Sequence, residues 1–534
     1  MLGNTVLEDL EVEGVKEALQ FKTPYGSSTF LKEIQNVSSD PNVLRKRQLP
    51  FLALRASVNV TAKLQELLTT LDTTCLDNFT VPKDELQSTA LNQVFMDSDG
   101  KFSWWNTSGW TLNLWLAWKT ILLPFFALIL PTLVLFAPFI LVDGITSSAA
   151  YLESLRAIIL RQITIPPFLK SRGAEDRIGF IMESGFILIT MTTFLCGMLN
   201  QLYAALTTRG FWFDLESQAN RIHDVQHTIS ACLTELESLG KRKQRALREF
   251  IAEGRGCVDA LQNYARGVPL YGAFYNTPEL ATRIASWIGK LDMYLTLLRS
   301  HTLCFPSYST GSSSAAWITG VVHPVVESCI SNNFELRSSI LTGPNRGGKS
   351  TYTKAIGLAI LCAQSLGVAF ASSMTVRPYT ALLTHLQGRA ILGTRSTFEA
   401  DIEFSKAVLG LAAMSRPCVL MDEIFHATNA HDGLLSSEIV YGSMLGRYPD
   451  GLLFLSTHYR DLVTSTGSRA AALCVGSDIR PDGSLAYTYR VYPGVNRHSS
   501  VRELLVEHGL CPAAAAGAAF VAEKELERHK QNES

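Results

Sequence analysis

The feature that most constrains this 534-residue chain is the stretch from Ser338 to Thr351, SSILTGPNRGGKST. It reads as a short apolar strand, a glycine-rich loop and the start of a helix, which continues TYTKAIGLAILCAQSLG. That succession predicts a phosphate-binding loop inside a parallel α/β sheet. Gly343, Gly347 and Gly348 let successive amide hydrogens face phosphate oxygens, and the helix adds its positive amino-terminal end. Pro344 and Asn345 complete the loop. Lys349 is expected against the β- and γ-phosphates, Ser350 on Mg²⁺ and Thr351 toward the α-phosphate. The expected ligands are ATP and Mg²⁺.

Two further apolar runs fit the same sheet. Cys418 to Met421 ends in Asp422-Glu423, and charges that close a buried strand need a partner such as a metal. Asp422 is read as the Mg²⁺ carboxylate, and Glu423 as the group that polarises the attacking water. The run GLLFLSTH is read as a third strand ending at His458, near the γ-phosphate.

Composition suggests some membrane-embedded sequence. Hydrophobic residues make up 47% of the chain and charged residues 18%, with a mean hydropathy of +0.14, too apolar for a disordered chain. A net charge of -1 gives no support to a globally basic nucleic-acid binder. The ten cysteines contain no CxxC pair, which argues against a zinc site or a disulfide framework and fits a reducing compartment. Residues 121–142 run without a charge for long enough to cross a bilayer, and residues 184–208 form a second, more polar candidate span. Trp104, Trp105, Trp110, Trp115 and Trp118 crowd before the first run, and Phe211, Trp212 and Phe213 follow the second, as aromatic belts do. Pro124, Pro131 and Pro138 recur every seven residues, so the first run is either a spanning helix or part of a re-entrant hairpin. Basic residues on both sides leave the orientation open. The first 30 residues lack an apolar signal core.

After these segments, Leu215, Ile222, Val225, Ile229, Leu233 and Leu236 recur at helical spacing and predict a long lever-like helix. The basic stretch KRKQRALRE, 241–249, reads first as a solvated helix face.

Taken together, GPNRGGKSTY, TRSTF at 394–398, VLMDEI at 419–424, Asp432-Gly433 and STHYRDL at 456–462 resemble the ATPase domain of the MutS mismatch-repair proteins, a branch of the ABC-type ATPases. HPVVE at 323–327 and YRVYPGVNRHSS extend the likeness, which covers roughly residues 214–528. The resemblance implies that Asn345 contacts the γ-phosphate side, that Ser396 reaches the partner subunit's nucleotide, and that the protein works as a homodimer with composite sites. Departures are Arg346 for methionine, FHATNAHDG for a glycine-arginine-rich stretch, and Val501 for glycine.

The expected architecture is an α/β P-loop ABC-type ATPase domain, an all-α lever region and a transmembrane or re-entrant helical hairpin. The expected parts are a helical region (1–110), a membrane module (111–213), core or lever helices (214–317), the ATPase (318–510) and a carboxyl-terminal helix (511–534). Since the phosphate chemistry lies beyond residue 323, a chain beginning near Phe213 is expected to be soluble and to bind ATP. The expected function is a membrane-anchored ATPase facing the cytoplasm or another ATP-containing compartment. Coupling to DNA or to mismatch-repair-like work is one reading. Non-DNA membrane scaffolding, remodelling or transport is the alternative.

Overall fold

The computed structural model describes residues 1–73, 108–130, 174–262, 266–300, 302–309, 316–386, 397–479 and 485–496, with a few isolated positions between them. The chain divides into two units, one formed by residues 1–69, 234–251 and 286–534, the other by residues 70–233 and 252–285.

The first unit holds the phosphate loop. Its strands are β1 (Leu303–Cys304), β2 (Ser307–Tyr308), β3 (Trp317–Val321), β4 (Asn332–Glu335), β5 (Ser339–Thr342), β6 (Ala369–Phe370), β7 (Ser373–Val376), β8 (Ala381–His385), β9 (Pro417–Asp422), β10 (Leu452–Ser456), β11 (Ala471–Ile479) and β12 (Leu485–Pro493). A six-stranded sheet has the order β12-β11-β5-β10-β9-β8, parallel throughout except for the β11/β12 hairpin. β5 and β10 are buried over their whole length, and β9 as far as Met421. Strands covered on both faces read as unbroken apolar runs, which is what made them visible in the sequence. Leu341 pairs with Ser456, and Ser456 with Asp422, so the carboxyl ends of β5, β10 and β9 stand side by side. β10 ends at Ser456, two residues short of the expected His458. Thr457 still donates to the Leu341 carbonyl at 3.0 Å, and His458 stands just past the pairing.

Five amino-terminal helices belong to this same unit: α1 (Val6–Asp9), α2 (Val12–Leu19), α3 (Pro24–Gln35), α4 (Pro41–Arg55) and α5 (Val58–Thr69). They explain the helix after the phosphate loop, α6 (Lys349–Ser365), whose side chains are buried from Tyr352 to Ser365 except at Lys354. A helix apolar on every side must be covered on every side. Val6, Leu10, Phe30, Ile34, Leu44 and Phe51 share one core with Ile356, Ala359, Ile360 and Leu420. The fit is tight, since a Cβ on Gly357 would lie 2.5 Å from Leu10 Cδ2 and 2.7 Å from Leu420 Cδ1. Gly3 donates to the Leu382 carbonyl at 2.8 Å and Leu382 to the Met1 carbonyl at 3.0 Å, so the amino-terminal segment covers the β8 edge. The unit that holds the phosphate loop is therefore not contained in the residues beyond Phe213 alone. Removing the first helices would strip apolar side chains from its central layer.

In the second unit the helix Gly109–Ala117 passes through a π-helical turn, Trp118–Leu122, and continues to Leu130. These 22 residues are long and apolar enough to cross a bilayer, by length and composition. The helix starts twelve residues before Ile121, so Trp110, Trp115 and Trp118 lie within it rather than ahead of it. Residues 131–142, apart from Leu133, fall outside the described residues. The second apolar run is part of one helix, Ala174–Glu237, of 64 residues. Leu188, Leu195, Leu199, Leu202 and Leu206 on it are exposed, whereas Leu215, Ile222, Val225, Ile229, Leu233 and Leu236 are buried. No break separates the apolar run from the lever-like face. Gly267, with a left-handed φ of 85°, follows the helix Arg248–Gln262, and Gly254 lies inside that helix.

Candidate functional site

The phosphate loop leaves β5 at Thr342 and enters α6 at Lys349 through Gly348, whose φ of 91° favours glycine. Lys349 is 6% exposed, and its Nζ donates to the carbonyls of Gly343 at 3.1 Å and Pro344 at 3.3 Å. Burial pulls its pKa below the usual lysine value, while Glu423 and Asp422 push it back up. The loop's own carbonyls thus hold the ammonium where a phosphate oxygen would take their place. One residue on, Ser350 Oγ donates to Asp422 Oδ2 at 2.7 Å, joining the first turn of α6 to the end of β9.

Glu423 follows at a left-handed φ of 51°, its N–H bonded to the Ser456 carbonyl at 2.9 Å. This turn swings the carboxylate back over the loop. His458 Nε2 lies 2.8 Å from Glu423 Oε1 and 3.3 Å from Lys349 Nζ. An ionised carboxylate can only accept, which assigns the Nε2 proton to the Glu423 bond. That bond holds the Glu423 pKa below the ordinary range. Burial opposes it, and the charges of His458, Lys349 and His426 add to it.

Lys349, Ser350, Asp422, Glu423 and His458 are thus brought together from the ends of three adjacent strands. Gly347, Gly348 and Thr351 line a cleft of about 560 Å³ together with Pro344, Asn345 and Glu423. Gly343, Pro344 and Asn345 also line a neighbouring cleft that reaches His458. Arg346, exposed at a φ of 62°, brings a second cation to the cleft. Ser396, Val501 and the carboxyl-terminal helix expected at 511–534 lie outside the described residues.

Sequence reasoning missed Tyr489. Its ring lies 3.1 Å from where a Cβ on Gly348 would stand, it is 48% exposed, and it lines the cleft. Asn332 fixes this part of β12 by donating to the Tyr489 carbonyl and accepting from the Val491 N–H, both at 2.9 Å. An open aromatic face beside a phosphate loop suits a nucleobase. The only sequence signal was an aromatic residue in the closing hairpin.

Ser350 and Asp422 are hard oxygen donors beside a phosphate site. Mg²⁺ is held in this way, by one or two protein oxygens with the rest of its shell from phosphate and water. The donor set fits that ion.

A parallel sheet with a phosphate loop on one strand and an acidic pair closing another defines a P-loop nucleotide-binding domain. Residues 339–515 match the family model MutS domain V, the ATPase domain of that family. The match supports a MutS relationship for this part of the chain, and MutS domain V is associated with ATPase activity.

Proposed function

We propose that the protein is a membrane-anchored ATPase that binds MgATP in the cleft between the phosphate loop and Tyr489 and hydrolyses it. The observation that carries this reading is the meeting of Lys349, Ser350, Asp422, Glu423 and His458 at three neighbouring strand ends. Incoming phosphate oxygens exchange for the loop carbonyls on Lys349. Ser350 and Asp422 would hold Mg²⁺, which would supply neutralisation of the phosphate charge. Glu423, kept ionised, orients water toward the γ-phosphorus and takes up its proton, and His458 holds the carboxylate in place until the triphosphate arrives. MutS proteins commonly act as dimers. A homodimer in which Ser396 completes the partner's site is part of the proposal.

Anchoring is supported by the exposed apolar helix Gly109–Leu130 and by the exposed leucines between residues 188 and 206. The nucleotide site would then face the cytoplasm or another compartment that holds ATP. A second reading couples turnover to DNA, and is favoured by the exposed Lys241, Arg242, Arg245 and Arg248.

The test is phosphate release by the detergent-solubilised full-length protein, with liposomes or duplex DNA added. Turnover that depends on Lys349 and responds to liposomes supports the membrane reading. Salt-dependent DNA binding with DNA-stimulated turnover supports the second. Absence of Lys349-dependent turnover removes both.

A further inference from the structure

Asp401 is a buried carboxylate, 4% exposed, that stands outside the phosphate-facing group. It lies on α7 (Thr397–Leu409). Its Oδ1 is 2.7 Å from His385 Nε2, and its Oδ2 accepts the Phe425 N–H at 2.8 Å. His385 closes β8 in register with Met421 of β9, one residue before Asp422. The imidazole is held in turn by stacking on Phe404, with ring centroids 4.8 Å apart. Three segments therefore meet on one carboxylate: the end of β8, the helix α7 and the loop that follows the acidic pair.

That loop needs such a hold. Glu423 and Phe425 both take left-handed φ values, 51° and 60°, which residues with a Cβ adopt only when their surroundings enforce it. The Ser456 carbonyl fixes the Glu423 N–H on one side, and Asp401 fixes the Phe425 N–H on the other. The Phe425 ring also packs edge-on against Phe398 of α7, with centroids 5.4 Å apart.

We propose that Asp401, oriented by His385, is a positioning residue that sets the backbone from which Glu423 reaches the γ-phosphate. This rests on the hydrolytic reading above. Among the described residues the Asp401 carboxylate bonds to His385 and Phe425 and not to Lys349 or Ser350, so its effect falls on turnover rather than on nucleotide capture. A displaced catalytic group costs rate steeply, because misplacement of about 1 Å can lower a rate roughly a hundredfold.

The experiment uses the full-length protein and its Asp401→Ala, Asp401→Asn and His385→Ala variants, and measures both ATP turnover and binding of a fluorescent ATP analogue. Asp401→Ala is expected to lower kcat about tenfold or more while analogue affinity stays within about twofold. Asp401→Asn, whose amide oxygen still accepts the Phe425 N–H, should recover most of that loss. A helix anchor with no link to Glu423 would not divide kcat from binding in this way. Asp401→Ala at wild-type kcat, or Asp401→Asn as impaired as Asp401→Ala, overturns the proposal. Where Asp401→Ala fails to fold, His385→Ala decides, with reduced kcat at retained binding expected and unchanged kcat overturning it. A wild-type protein without Lys349-dependent turnover overturns the hydrolytic reading and this proposal together. Normal wild-type turnover beside an indifferent Asp401→Ala overturns this proposal alone.

Discussion

The Ser350 hydroxyl and the Asp422 carboxylate meet at 2.7 Å, joining two segments 72 residues apart at the point where a divalent cation would sit beside the phosphates. Ser350→Ala or Asp422→Asn should raise the Mg²⁺ concentration for half-maximal turnover by about tenfold or more, by analogy with lost support at other metal sites. A Mg²⁺ titration of ATPase rate at fixed ATP measures this. Unchanged Mg²⁺ dependence in both variants would mean that the pair does not hold the ion.

The hydrogen bond from His458 and nearby positive charges keep Glu423 ionised below the usual carboxylate range, against the opposing effect of burial. A depressed folded-state pKa contributes stability above the unfolded glutamate value, and that stability is lost as pH falls through the folded value. Glu423→Gln abolishes the titration. Wild type should therefore exceed Glu423→Gln in Tm by more at neutral pH than below pH ~4, near the unperturbed glutamate value. A gap that widens on acidification would contradict the assigned interaction.

Leu10 is fully buried against α6 and the β9 side of the sheet, more than 300 residues away in sequence. Leu10→Ala should destabilise the protein by roughly 2–5 kcal/mol, the range for a leucine removed from a packed core. Chemical denaturation followed by nucleotide-analogue binding reads the first unit directly. A loss below about 0.5 kcal/mol, the scale of a surface substitution, would show that the amino-terminal helices are peripheral.

Leu130 and Leu133 are both exposed, as lipid-facing residues would be. A basic side chain near the bilayer centre costs roughly 2.5–3.5 kcal/mol on insertion scales, so arginine at both positions should prevent stable integration. The native protein should resist alkaline carbonate extraction, and the double variant should be extracted or aggregate. Native protein found wholly in the soluble fraction without detergent would remove the anchor.

The parts of the site that were legible in the sequence are those in which chemistry and strand are contiguous. The phosphate loop, Asp422-Glu423 and His458 each follow directly on a buried apolar run, so local pattern and site coincide. Asp401 and His385 were not legible, because their meeting with Phe425 depends on β8 lying beside β9, which no local signal encodes. Tyr489 is about 140 residues from Gly348 and reads as any hairpin aromatic. The packing of the amino-terminal helices on α6 was not legible for a similar reason, since Leu10 and Leu44 reach α6 only through tertiary packing. One clue was present: AIGLAILCAQSLG is apolar on every helical face and required a second covering layer besides the sheet. The helix start at Gly109 was missed because tryptophans were read as a belt before the apolar run, although they also belong to a helix.

The central claim, that this site binds ATP and hydrolyses it through Glu423, is tested most directly by counting nucleotide bound per chain during turnover in wild type, Lys349→Ala and Glu423→Gln. Lys349 meets the phosphates, whereas Glu423 acts on the water. Lys349→Ala should therefore retain neither nucleotide nor turnover, and Glu423→Gln should retain close to one ATP per chain with turnover reduced about a hundredfold or more, within the range for a lost general base. Wild-type turnover in Glu423→Gln, or full nucleotide occupancy in Lys349→Ala, would contradict the account.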